Sequence, residues 1–242
     1  MKLNAKNYAD YKALNEAVRA VPIGEAVEID ACCGERYIGV GAEKGKNIVI
    51  NGIPGNAMGA YLDGGTISVH GNAQDATGDT MNDGQIVIYG NCGDAVGYGM
   101  RGGKIFIRGN TGYRSGIHMK AYQNKSPVLV VGGSAGSFLG EYQAGGLIIV
   151  LGLNNDKNKV GYGCATGMHG GCIYIRCDEI PDYLPQQISA IPATEDELNG
   201  IKHHIREFAE KFGLDFNAVI NHSFLKLTPN SHSPYRMMYT HN

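Results

Sequence analysis

The residues Gly97-Tyr98-Gly99-Met100-Arg101-Gly102 spell the G-x-G-x-x-G pattern of a dinucleotide cradle. In that chemistry the glycines bring backbone N–H groups against a pyrophosphate, which requires a strand directly before the motif and a helix opening within it. Here a long turn separates the motif from the preceding apolar run, and Gly103-Lys104-Ile105-Phe106-Ile107, another strand pattern, follows it. Nucleotide binding is not expected from this motif. Metal chemistry has one candidate cluster, Cys164, His169, Cys172 and Cys177, but none of the six cysteines forms a C-x-x-C pair, and buried free thiols are the competing reading. His203-His204 lies in a helical pattern, where adjacent residues point in different directions, so the pair is not expected to hold a metal jointly. His118 and His169 fall in turns and read as surface residues. No Ser, Cys or Thr sits in a nucleophile elbow. Asp63, Asp75, Asp79 and Asp83 lie near turns without the facing carboxylate of a glycosidase. No catalytic, cofactor-binding or metal-binding residue is assigned.

Charge gives a weaker signal. The formal net charge is −2, which excludes a globally basic nucleic-acid binder. Within residues 95–125, however, Arg101, Lys104, Arg108, Arg114, Lys120 and Lys125 stand without any Asp or Glu. Dispersed around the chain they are solvated; gathered on one side, Arg101, Lys104, Arg108, Arg114 and Lys120 would form an interface for an acidic partner.

The elements that must position these residues follow from a repeat. Ile48-Val49-Ile50, Ile67-Ser68-Val69, Ile86-Val87-Ile88 and Ile105-Phe106-Ile107 begin 19 residues apart. Gly52, Gly71, Gly90 and Gly109 follow two residues after each run. Gly59, Gly78, Gly97 and Gly116 come next, and three residues beyond each stands Leu62, Met81, Met100 or Met119. Insertions then lengthen the period, through Leu129, Val131 and Gly140 with Gln143, then Ile148 and Val150 with a swollen turn at 154–159, then Ala165 with Met168 and a last strand at Ile173 and Ile175. Glycine is 36 of 242 residues, about twice the ordinary share of roughly 7%. A fixed glycine column marks backbone with positive φ or without room for a Cβ. Alternating strands that cannot bury their inner face alone must stack. The fold expected is all-β: a single-stranded right-handed parallel β-helix of about seven coils, a rod on the order of 30 Å tall at one strand spacing per coil.

One domain, 1–242, is expected: a helix and leading segment over 1–45, the β-helix over 46–177, and a helix and tail over 178–242. Tyr11, Leu14, Val18 and Val21 give the first helix its apolar stripe, ended by Pro22. Thr194 with Glu197 reads as a capping box for the second, which runs to Gly213. Apolar runs are too short to span a bilayer and the N-terminus carries no secretion signal, so a cytoplasmic protein is expected.

The block from Ile48 to Ile175, with Gly93-Asp94-Ala95-Val96-Gly97-Tyr98-Gly99-Met100-Arg101-Gly102-Gly103 at its centre, resembles the GXGXG domain family. That family includes the C-terminal domain of the glutamate synthase large subunit and the β-helical subunit of formylmethanofuran dehydrogenase. The segment Gly34 to Gly39 and the tail from Leu225 to Tyr235 resemble a stand-alone form of the glutamate synthase domain. The resemblance implies a non-catalytic structural subunit of an oxidoreductase complex making glutamate from glutamine and 2-oxoglutarate in ammonia assimilation. It also implies partner subunits carrying the glutaminase, the FMN and the iron–sulfur cluster, with no cofactor on this chain. Self-association is open, and no nucleic-acid or membrane partner is expected. The alternatives are the corresponding part of a formylmethanofuran dehydrogenase and a β-helical carbohydrate-active enzyme.

Overall fold

The computed structural model of the chain describes residues 1–154, 158–181 and 183–230. Strand alternation builds the interior. Strands β1 (Lys2–Asn4), β2 (Ala26–Cys33), β3 (Asn47–Ile53), β4 (Asp63–His70), β5 (Asp83–Ile88), β6 (Lys104–Ile107), β7 (Val128–Val131), β8 (Ala144–Val150) and β9 (Gly170–Arg176) pair in parallel, each with the next in sequence. Register places Ile67 beside Ile86, Ile86 beside Ile105, Ile105 beside Leu129, Leu129 beside Ile148 and Ile148 beside Ile173. All six are fully buried, and with Ile50, Val69, Ile88, Ile107, Val131 and Val150 they form the expected parallel β-helix core.

The wall facing this ladder is the glycine-rich turn. Its backbone adopts left-handed φ at alternate residues, as at Arg114, Gly116 and His118 (57°, 70° and 56°). Successive left-handed residues therefore point their N–H groups to opposite coils: Arg114 N donates to Ser137 O (2.9 Å), Gly116 N to Val96 O (2.7 Å) and His118 N to Glu141 O (2.9 Å). The turn is a second hydrogen-bonded wall. At Gly116 both reasons for glycine coincide, since an added Cβ would come within 2.5 Å of Ile148 Cδ1. The last coil sets Ala165 in this column, at φ 63°. Leu62, Met81, Met100, Met119 and Met168 fill the corner beside it. Gln143 holds the same column with its Nε2 donating to the carbonyls of Gly145 (3.2 Å) and Gly146 (3.1 Å).

Two boundaries differ from the sequence expectation. Parallel strands start at Lys2 rather than at residue 46, because Val27 and Ile29 alternate inward like later coils. The signal was hidden by an irregularity between Ile29 and Cys32, where Ala31 takes φ 57° and breaks the glycine register. Nor does β9 close the array. Strand β11 (Phe224–Pro229) pairs antiparallel with it, and β10 (Ile188–Pro192) pairs antiparallel with β11. Leu225 and Leu227 extend the interior ladder across what would otherwise be an open edge.

Helix α1 (Tyr11–Ala20) buries Leu14 and Val18 against the first coils. Its last carbonyls are met by the nearly buried Lys46, whose ammonium donates to Val21 O and, at 3.4 Å, to Arg19 O. Helices α2 (Glu195–Phe212) and α3 (Phe216–Ile220) lie along the side of the rod. The outward residues Val87, Phe106, Val130, Ile149 and Tyr174 make an apolar strip over β5 to β9, and α2 covers it with Ile201, Ile205, Phe208 and Phe212. Over β2 to β4 the outward positions include Glu28, Asp30, Asn51 and Ser68, and among the described residues no helix packs there.

The capping box of α2 forms as read from the sequence. Glu197 N donates to Thr194 Oγ1 (3.4 Å) and Thr194 N to Glu197 Oε2 (2.9 Å). Glu197 also holds Lys226 of β11 at 2.6 Å. The Lys226 ammonium and the Thr194 N–H pull its carboxyl from 4.5 down to about 2. A carboxyl depressed on folding contributes stability that is full above its ordinary value and lost as pH falls through the folded one, so this clamp should loosen between about pH 4.5 and 2. Thr194→Ala should cost about 1 kcal/mol in urea unfolding. In Glu197→Gln the pH 2 to 4.5 segment of the stability profile should flatten; an unchanged acid limb would show that the clamp carries no stability.

Candidate functional site

The structure uses the glycines of the fingerprint as coil turns. Gly97 (φ 65°) and Gly99 (φ 58°) are two of the alternating left-handed positions, and Gly102 lies against the carbonyl of Asn82 in the preceding coil. Gly97 N donates to Thr77 O (2.8 Å) and Gly99 N to Ile117 O (2.8 Å), so both are occupied by neighbouring coils. No helix opens here, because Arg101 leads directly into β6.

The basic stretch divides among different faces. Lys104 lies under α2, its ammonium 2.6 Å from Glu207. Arg108 follows directly after β6 and is exposed. Lys125, in the inserted loop, reaches back to Asp83 (3.0 Å) and Asp63 (3.6 Å). Arg114 sits on the turn wall, ion-paired to Glu141 at 2.7 Å. Arg101 and Lys120 occupy one column in adjacent coils, since Arg101 N donates to Met81 O (2.8 Å) and Lys120 N to Met100 O (3.0 Å). Both are exposed, and neither makes an ion pair among the described residues.

The cysteines also separate. Cys164 packs in the interior, Cys172 in the outer cluster under α2, and Cys177 at the end of β9. Burial pushes the Cys164 thiol up to about 12 and Cys177 to about 11, which makes poor thiolates of both. His169 Nδ1 lies 3.1 Å from Gly167 O. Among the described residues no three His, Cys, Asp or Glu side chains group to hold a metal. The two histidines of α2 do not diverge as expected: their rings stand 3.7 Å apart. His203 is exposed and His204 half-buried, and the two rings are tilted by 44°. Burial first, and then the neighbouring His203 and Lys104 charges, push His204 down to about 4, so it is neutral at pH 7. Of the four aspartates, Asp63 and Asp83 share Lys125, whereas Asp75 Oδ1 accepts Asp94 N (2.8 Å) and Asp79 accepts the Thr80 hydroxyl (2.8 Å).

What does converge is aromatic. Tyr98 meets His118 edge-on at 5.7 Å, and His118 stacks on Tyr142 at 5.2 Å. Beside that run, Tyr113 meets Phe138 at 5.3 Å and Phe138 meets Tyr162 at 6.0 Å. The Arg114 guanidinium lies 4.8 Å from the Tyr113 ring and 5.8 Å from Phe138, within the second run. These rings sit on the outer side of the turn wall with Tyr98 42%, Tyr113 38% and Tyr162 70% exposed. The spacing hid them, because Tyr113 and Tyr162 share a column only after the insertions are counted.

A model of the GXGXG motif family matches residues 9–231. The chain belongs to that family. Over 242 residues this GXGXG protein is 46% identical to an uncharacterized protein of Methanocaldococcus jannaschii, across 95% of this chain and 93% of that one. GXGXG domains are found in glutamate synthase. Of the tail from Leu225 to Tyr235, part of the resemblance to that enzyme, residues 225–229 lie in β11 and residues 231–235 lie outside the described residues. Among the described residues no helix is long and apolar enough to cross a membrane.

Proposed function

We propose that this GXGXG protein is a non-catalytic assembly subunit of a glutamate-synthase-type complex, which makes glutamate from glutamine and 2-oxoglutarate. The observation that carries this reading is the family match across residues 9–231, to a domain type found in glutamate synthase. The use of the chemically suggestive groups supports it. The fingerprint glycines serve inter-coil packing, the Cys164 thiol is interior, and the aspartates near turns hold backbone, the Thr80 hydroxyl or Lys125. In this reading the glutaminase, the FMN and the iron–sulfur cluster belong to partner subunits in the cytoplasm, and this chain binds no cofactor of its own.

The test is reconstitution. Glutaminase and flavin/iron–sulfur subunits of glutamate synthase from the same organism should give glutamine-dependent glutamate formation only, or far faster, when this chain is added. The chain alone should turn over neither substrate. Subunits that assemble and work equally well without it would overturn the proposal.

A further inference from the structure

We infer that the aromatic turn wall is the surface by which this chain docks an acidic face of a partner subunit; the inference rests on the assembly reading above and assigns it a place. Three observations converge. First, exposure: Tyr98, Tyr113 and Tyr162 present rings to solvent in two runs, Tyr98–His118–Tyr142 and Tyr113–Phe138–Tyr162, which share the turn that carries Phe138 and Tyr142. Elsewhere the chain covers its outward apolar strip with α2, whereas no described element covers this wall. Contiguous exposed apolar surface marks an interaction site, and Tyr with Arg dominates the energetic centres of protein interfaces.

Second, the rings are ordered in advance. They lie on backbone fixed by hydrogen bonds to both neighbouring coils, and Arg114 is held between Tyr113 and Phe138 by Glu141. Little side-chain freedom remains to be lost on association.

Third, the margin beside the rings carries two cations that lack ion partners among the described residues. Arg101 and Lys120 line it next to Tyr98 and His118. Of the nearby acids, Glu141 pairs with Arg114, while Asp94 Oδ1 accepts Tyr113 N (2.7 Å) and keeps its charge. Asp79 holds the Thr80 hydroxyl (2.8 Å). Carboxylates on the partner would complete this margin and steer its approach.

The experiment uses the full chain with the recombinant glutaminase and flavin/iron–sulfur subunits, followed by light scattering and by affinity at low and high salt. Two variants are compared with the natural chain: Tyr98→Ser/Tyr113→Ser/Tyr162→Ser, which removes the exposed rings, and Arg101→Glu/Lys120→Glu, which reverses the margin. The triple variant should weaken the complex by about 100-fold. The double variant should weaken it by about 10-fold or more and remove most of the salt dependence. Tyr61→Ser, an exposed ring two coils away, should change nothing. If the natural chain binds and both variants bind within about twofold of it, the surface assignment fails and the assembly reading stands. If the natural chain binds neither subunit, the assembly reading itself fails and carries this inference with it. Loss of a self-dimer rather than of the heteromeric complex would also overturn it, by making the occupant a second copy. Should the triple variant not fold, the charge reversal decides, because its two side chains are exposed.

Discussion

Gly102→Ala should be the most damaging alanine substitution in the fingerprint, and Gly97→Ala and Gly99→Ala the mildest. At Gly102 the new Cβ would lie 2.3 Å from the carbonyl oxygen of Asn82, and backbone of the neighbouring coil cannot rotate aside as a side chain can. The two coils would have to part locally, at a cost of about 3 kcal/mol. For Gly97 the nearest atom to an added Cβ is Met100 Sδ at 3.6 Å, and for Gly99 it is Thr80 Oγ1 at 3.7 Å, which is ordinary contact. What remains there is the left-handed φ, about 1 to 2 kcal/mol for an L-residue. Tyr61, Thr80, His118 and Tyr142, which stand in the Gly99 column, show that the coil accommodates that conformation. A nucleotide cradle would make its first two glycines indispensable. Thermal unfolding of the three variants distinguishes these cases: Gly102→Ala should fall by roughly 10 °C and the others by a few degrees. Equal losses at all three would contradict the coil-packing account.

Phe208→Ala should release α2 while leaving the interior ladder folded. Phe208 is fully buried, 4.7 Å from Phe212 and 6.4 Å from Phe106 between ring centres. Its ring also fills the space above Gly132, where a Cβ would come within 2.7 Å of Cζ. Truncating a fully buried phenylalanine costs about 3 to 5 kcal/mol. The interior and outer clusters share no residue, so the loss should fall on the outer one. Hydrogen exchange should accelerate throughout α2 and the variant should bind a hydrophobic dye, while amides of β3 and β4 keep their protection. Uniform acceleration across both clusters would show that the rod and its helix unfold as one unit.

The interior was legible because a single period, 19 residues, repeats the same demand: an inward β-branched pair, a turn without a Cβ, a corner filler. The capping box was legible for the same kind of reason, since Thr194 and Glu197 satisfy each other within four residues. Features set by two distant stretches were not. The outward strip from Val87 to Tyr174 reads as variable positions until α2 is known to lie on it. The antiparallel β11 carries no glycine column, and its inward Leu225 and Leu227 look like any short strand. For the candidate site, the shared column of Arg101 and Lys120 was readable, but Lys104, Arg114 and Lys125 went to acids on other elements or coils. The aromatic wall was missed because insertions shift its members out of the simple period.

The lateral position of α2 separates the chain's contacts into two time scales of synthesis. Each coil pairs with the one completed just before it, so the interior ladder can close as residues leave the ribosome. The partners of α2 lie far behind it in sequence: Gln85 and Lys104 wait 122 and 103 residues for Glu207. At about 5 to 20 residues per second, the strip around Phe106 faces water for roughly 5 to 20 seconds before Phe208 can cover it. A nascent rod thus carries a temporary sticky side on an already rigid body. Placing the helix after the last coil, some hundred residues behind the strip it covers, sets how long that side stays open to chaperones and to neighbouring chains.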